Sequence, residues 1–214
     1  MPDIFYRRNL PHIHPDGYPL FITFRLANSL PVEILHELRK ERELKLKSAS
    51  NQSQMKIGNI EQKLFDCYDE WLDHCETGPR WLEGENIAGI VSHKIHEMHN
   101  NRYKLLSFCI LSNHVHMLIE HFSAEQTRRY GKSAKYPVAD TLRLLKGSTA
   151  RDCNLALKRN GQFWHQESYD HFVRDEAELT RIIQYILNNP VKAGLAKEWK
   201  DWNFTYINPE LGEW

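Results

Sequence analysis

The chain has 214 residues, 28 Lys and Arg balanced by 28 Asp and Glu, and 41% hydrophobic residues, a mixture that excludes disorder throughout and suits one domain, or one domain with a large insertion. No run approaches the ~18 to 20 uninterrupted apolar residues of a membrane span, and Met1-Pro2-Asp3-Ile4 opens neither a signal peptide nor an Arg/Ser-rich transit segment, so a soluble, cytoplasmic protein is expected. Cys67, Cys75, Cys109 and Cys153 are scattered without a Cys-x-x-Cys pair, which points to reduced, mostly buried thiols rather than a disulfide framework.

In chain order, Asp16-Gly17 supplies a turn and residues 19–26, β-branched and aromatic, read as a first strand. Pro31 opens a helix with Val32, Ile34, Leu35 and Leu38 on one face, and a polar tract over residues 48–54 reads as an exposed loop. Helical spacing returns over 60–75 (Ile60, Leu64, Cys67, Tyr68, Trp71, Leu72) and, after Gly78-Pro79, over 85–100. Residues 103–111 and 115–121 are two extended runs around the turn formers Ser112-Asn113, which predicts a hairpin in the central sheet. A helix over about 139–158 follows, with Leu142, Leu145, Ala150, Cys153 and Leu157 as its apolar stripe, ended by Asn160-Gly161. After an aromatic-rich connection (Phe163 to Tyr169), a last helix is expected from Glu176 to Asn189, stopped by Pro190. The order describes an α+β chain, a helix-covered antiparallel central sheet with a helical insertion at about 28–102.

The neutral total hides a basic segment. Residues 128–159 hold Arg128, Arg129, Lys132, Lys135, Arg143, Lys146, Arg151, Lys158 and Arg159 against Asp140 and Asp152, a local charge of +7. Such a surface is either a solvated helix face or the footprint of a phosphate backbone.

Two patterns can carry chemistry. Asn113-His114-Val115-His116-Met117-Leu118-Ile119 puts two histidines at i and i+2, so on a strand both imidazoles leave one face while Val115, Met117 and Ile119 enter the core. The pair can grip one ion, or be surface or hydrogen-bonded core histidines. Tyr185 and Asn189 stand at i and i+4, one turn apart, so a phenol and an amide can converge. The plain alternatives are a half-buried core tyrosine and an asparagine that ends a helix before Pro190.

Taken together, Asn-His-Val-His after a hydrophobic strand, Trp164, Gln166, Tyr169-Asp170, Val173-Arg174-Asp175, the run Tyr185-Ile-x-x-Asn-Pro-Val-Lys-Ala-Gly-Leu and Asp201-Trp202 resemble the REP-associated tyrosine transposases, members of the HUH (His-hydrophobe-His) single-tyrosine endonucleases. The resemblance covers residues 20–26 and 103–202, about half the chain. It departs from the family where Leu111-Ser112 stands in place of the Met-Pro of many relatives and where His165 separates Trp164 from Gln166. The resemblance implies a ferredoxin-like HUH endonuclease fold, His114, His116 and Asn189 as ligands of a divalent metal, Mg or Mn, and Tyr185 as the nucleophile that leaves a 5′-phosphotyrosine adduct and a free 3′-hydroxyl. It implies hairpin-forming, palindromic single-stranded DNA as substrate and a site completed within a monomer, with a dimer as the alternative. Arg143, Lys146 and Arg151 from the basic segment, with Trp164 and Tyr169 as base-stacking or core aromatics, are the candidate DNA contacts. The competing readings are a repeat-DNA-binding module that no longer cleaves and a hydrolase that uses activated water.

Overall fold

The computed structural model describes residues 4–7, 11–14, 17–48, 64, 65, 67–74, 77–122 and 137–214. The polar tract beyond Ser48, the start of the second expected helix, Cys75 and the basic residues Arg128, Arg129, Lys132 and Lys135 lie outside them. The chain divides into two compact units, residues Met1–Leu26 with Trp81–Trp214, and Ala27–Arg80.

The first unit is built on a five-stranded antiparallel sheet. Its strands are β3 (Pro19–Arg25), β4 (Tyr103–Ile110), β5 (His114–His121), β6 (Tyr169–Phe172) and β7 (Thr205–Ile207), in the order β6-β3-β5-β4-β7. A separate two-stranded sheet pairs β1 (Ile4–Arg7) with β2 (Pro11–His14). The expected first strand and hairpin form the centre, with β5 flanked on both sides and its register fixed by Ile22 opposite Met117 and Thr23 opposite His116. A bulge between Leu105 and Ser107 resets the pleat of β4. That extra residue keeps Leu105, Phe108 and Ile110 on one side although their spacing is not strictly alternate.

That side is the apolar one. Leu20, Ile22 and Phe24 of β3 and Val115, Met117 and Ile119 of β5 join the stripes of α2 (Glu85–Met98) and α3 (Pro137–Ala156) in one buried cluster. Helix α2, within the expected insertion at about 28–102, is grouped with the sheet-bearing unit, and Ile87, Val91, Ile95 and Met98 are covered in this core. Helix α4 (Glu176–Lys192) covers the opposite face, where Tyr185 meets Phe21 and His116.

Helix α4 does not stop at Pro190 as expected but runs to Lys192. Proline removes one N–H, yet its carbonyl accepts from the Leu195 N–H at 2.8 Å, while the Gly194 N–H reaches Val191 O at 3.0 Å. Gly194, at φ 69°, supplies the left-handed residue that such a C-terminal turn requires. At the other end the Asp175 side chain accepts from the Glu178 N–H, a regular N-cap.

The second unit holds α1 (Val32–Ser48) and a helical stretch over 67–74, with Leu30 and Leu72 packed against Leu35 and Tyr68. Its two ends approach closely. Gly78, at φ 91°, lies so near the Asn28 carbonyl that a Cβ there would collide with it. Among the described residues no helix is long and apolar enough to cross a membrane.

Candidate active site

The strand alternation that sends Val115 and Met117 into the core sends His114 and His116 to the face under α4. Both imidazoles are buried, and their Nε2 atoms stand 3.0 Å apart. The outer ring nitrogens are held by side chains: His114 Nδ1 by Asn113 Oδ1 at 2.6 Å and His116 Nδ1 by Thr23 Oγ1 at 2.8 Å. An amide oxygen can only accept, so the hydrogen-bond pattern assigns the His114 proton to Nδ1 and leaves a lone pair on Nε2. A threonine hydroxyl both donates and accepts, so His116 can direct either a proton or a lone pair toward the same point. Burial first, then the neighbouring His114 and Lys192, holds the His116 pKa well below its ordinary value, keeping that ring neutral. Two neutral imidazoles with convergent Nε2 atoms, each oriented by an outer hydrogen bond, are the arrangement that metal ligation uses.

Tyr185 enters from above. Its ring lies edge-on to His116 (centroids 5.3 Å apart, 67°) and to Phe21 (6.0 Å, 87°), while Phe21 itself stacks on His116 at 5.5 Å. The residue is half-buried, yet its hydroxyl is fully covered and finds no hydrogen-bond partner among the described residues. The same holds for both side-chain polar atoms of Asn189, one turn further along α4. Leaving a buried polar group unpaired costs on the order of 1–3 kcal/mol, so native chains rarely do it without a ligand to satisfy it. Unpaired phenol and amide groups on the helix that covers two convergent imidazoles fit a divalent cation and a phosphate. The donor set, two nitrogens and one amide oxygen, suits Mn and is acceptable to Mg.

Position and angle of α4 are fixed at its first turn. Buried Glu178 accepts from the Arg174 backbone N–H at 2.8 Å, from the Arg174 guanidinium at 3.0 and 3.2 Å, and from His171 Nε2 at 3.1 Å. Burial alone would push this carboxyl up; the Arg174 and His171 contacts outweigh it and bring it below its usual value. The helix is thereby tied to strand β6 two turns before Tyr185.

The DNA-contact candidates separate. Tyr169, opposite Thr23 in β6, is half-buried and shares the histidine face. Arg143 and Arg151 are exposed on α3, which covers the other face of the sheet, and Arg143 lies 3.5 Å from Asp140. Lys146, also on α3, donates to Gln166 O and Ser168 Oγ at 3.0 and 3.1 Å, holding the 166–168 connection. Trp164 is only 4% exposed, packs edge-on to Phe24 and Phe163 and donates its indole N–H to Thr149. Of the two roles expected for Trp164, core packing and base stacking, this burial favours core packing. Thr23 and Asn113, which orient the imidazoles, went unassigned in the sequence reading. The Asn113 signal was its place before His114, whereas nothing local marks Thr23.

No family model matches the chain. A curated Haemophilus influenzae protein assigned to the REP-associated tyrosine transposases is 28% identical over 110 residues, 51% of this chain. The match spans 61% of that relative's length. The solved structure of a REP-associated tyrosine transposase bound to a REP hairpin shows 18% identity and a TM-score of 0.49, covering 94% of this chain and 80% of that one. By its sequence match and the order of its motifs, the chain is similar to the REP-associated tyrosine transposases over about half its length.

Proposed function

We propose that the protein is a metal-dependent, single-strand DNA endonuclease and transposase acting on hairpin-forming palindromic repeats. The observation that carries this reading is the buried, unpaired hydroxyl of Tyr185 on the helix face that meets the paired imidazoles of His114 and His116. Held by His114, His116 and Asn189, a divalent cation, Mg or Mn, would polarise the scissile phosphate and offset charge on its oxygens.

Tyr185 forms the new bond from its phenolic oxygen to phosphorus, and the P–O3′ bond breaks. The electron pair leaves on the 3′ oxygen, which takes up a proton, while the phenol proton passes to solvent. The 5′-phosphotyrosine ester keeps the bond energy, so a 3′-hydroxyl can reverse the step and rejoin strands. Phe21 and His116 pin the Tyr185 ring, which lowers the entropy of attack. Since His116 and Tyr185 meet within one chain, a single copy carries the set, which supports a monomer.

Labelled single-stranded oligonucleotides carrying repeat hairpins, incubated with protein and Mn or Mg and run on a denaturing gel, test this. A protein-linked band that requires metal and is lost in Y185F and H114A is expected. Binding with no adduct on any hairpin would favour the binding-module reading, and cleavage that survives Y185F would favour water as nucleophile.

A further inference from the structure

Lys192 closes the last turn of α4, three residues after Asn189 and seven after Tyr185. On a helix these offsets place all three on one face, the face that brings Tyr185 to the ring of His116. Along this row the hydroxyl of Tyr185 and the amide of Asn189 are covered, whereas Lys192 is exposed. A cation in the last helical turn is favoured by the helix dipole on any face; position on the Tyr185 face is what a dipole role does not require. A lysine is a compact, three-donor point charge on a flexible stem, well matched to a phosphate oxygen that solvent can also reach.

Resting on the transesterification reading above, we propose that Lys192 contacts a backbone phosphate of the single DNA strand lying across the site, steadying the strand in front of Tyr185. The row then has three tasks in order along α4: attack at Tyr185, ligation at Asn189 and phosphate capture at Lys192.

The test compares wild type, K192Q and K192R with a fluorescent single-stranded hairpin oligonucleotide, measuring affinity over a NaCl series in Mn and the concentration dependence of adduct formation. Each phosphate contact contributes about 0.7–0.9 to the slope of log affinity against log salt. K192Q is expected to flatten that slope by about one, weaken binding roughly tenfold at low salt and raise KM more than it lowers kcat, with any fall in Tm confined to the few degrees that loss of the dipole interaction accounts for. K192R restores slope and KM. An unchanged slope and KM in K192Q, with wild type active, overturn the contact alone. Cleavage that persists in Y185F overturns Tyr185 as nucleophile while the salt slope still judges Lys192. A wild type that neither binds nor cuts single-stranded DNA overturns both.

Discussion

The two faces of β5 are built from alternate residues of one eight-residue strand and obey opposite rules. On one, the side chains of Val115, Met117 and Ile119 carry no hydrogen-bonding N–H or O–H and are sealed in the apolar cluster. On the other, His114 and His116 are equally buried, but each ring nitrogen is placed by a named partner, and the helix above carries polar atoms that are unpaired among the described residues. The same backbone thus supplies rigidity and reactivity at once: side chains that cannot shift on the apolar side hold imidazoles that must not shift on the other.

Y185F separates the faces most sharply. Adduct formation falls below detection, while stability holds or rises by up to about 1 kcal/mol, because an unpaired buried hydroxyl is removed; in a chain of this size that is roughly 2–4 °C in a melting experiment. A fall in Tm would show that the hydroxyl has a partner. M117A does the reverse. Truncating this fully buried side chain costs about 2–5 kcal/mol in urea unfolding, with adduct yield per folded molecule retained well below the transition.

T23V probes the join between the faces. Losing the hydroxyl that positions His116 Nδ1 weakens metal affinity by about 10–100-fold, so adduct yield recovers at raised Mn; no change in the Mn dependence would mean that Thr23 orients nothing. The smallest effect is on pH. His116 has its folded pKa below the ordinary 6.5, so the unfolded chain binds the proton more readily and stability declines as pH falls below about 6.5. Glu178 also sits below its ordinary 4.5, so its contribution is present above that value and lost below it. Urea midpoints across pH show two descents, and E178Q weakens the lower one only.

These contrasts also mark what the sequence could convey. The central strands and α4 were legible because alternation or helical spacing persists over seven or more residues, and the i, i+2 and i, i+4 pairs follow from that periodicity. Strands β6 and β7, four and three residues long, were not: they exist through pairing with β3 and β4, and Tyr169-Asp170-His171-Phe172 carries no local strand pattern. Periodicity showed that residues 85–98 have an apolar face but not what covers it. Thr23 escaped notice because its partner is 93 residues away, and the packing of Trp164 is decided by Phe24 and Thr149, neither of them near it in sequence.

The near-collision of Gly78 with the Asn28 carbonyl bears on how such a chain can change over time. A segment whose two ends meet presents the connection between β3 and α2 with the span of a short loop, however many residues it contains. Since loop-closure entropy grows only slowly with length, residues can be gained or lost between positions 28 and 78 without shifting the pairing of Thr23 with His116. Length variation among descendants is therefore expected to concentrate there, and glycine at position 78 to persist through it.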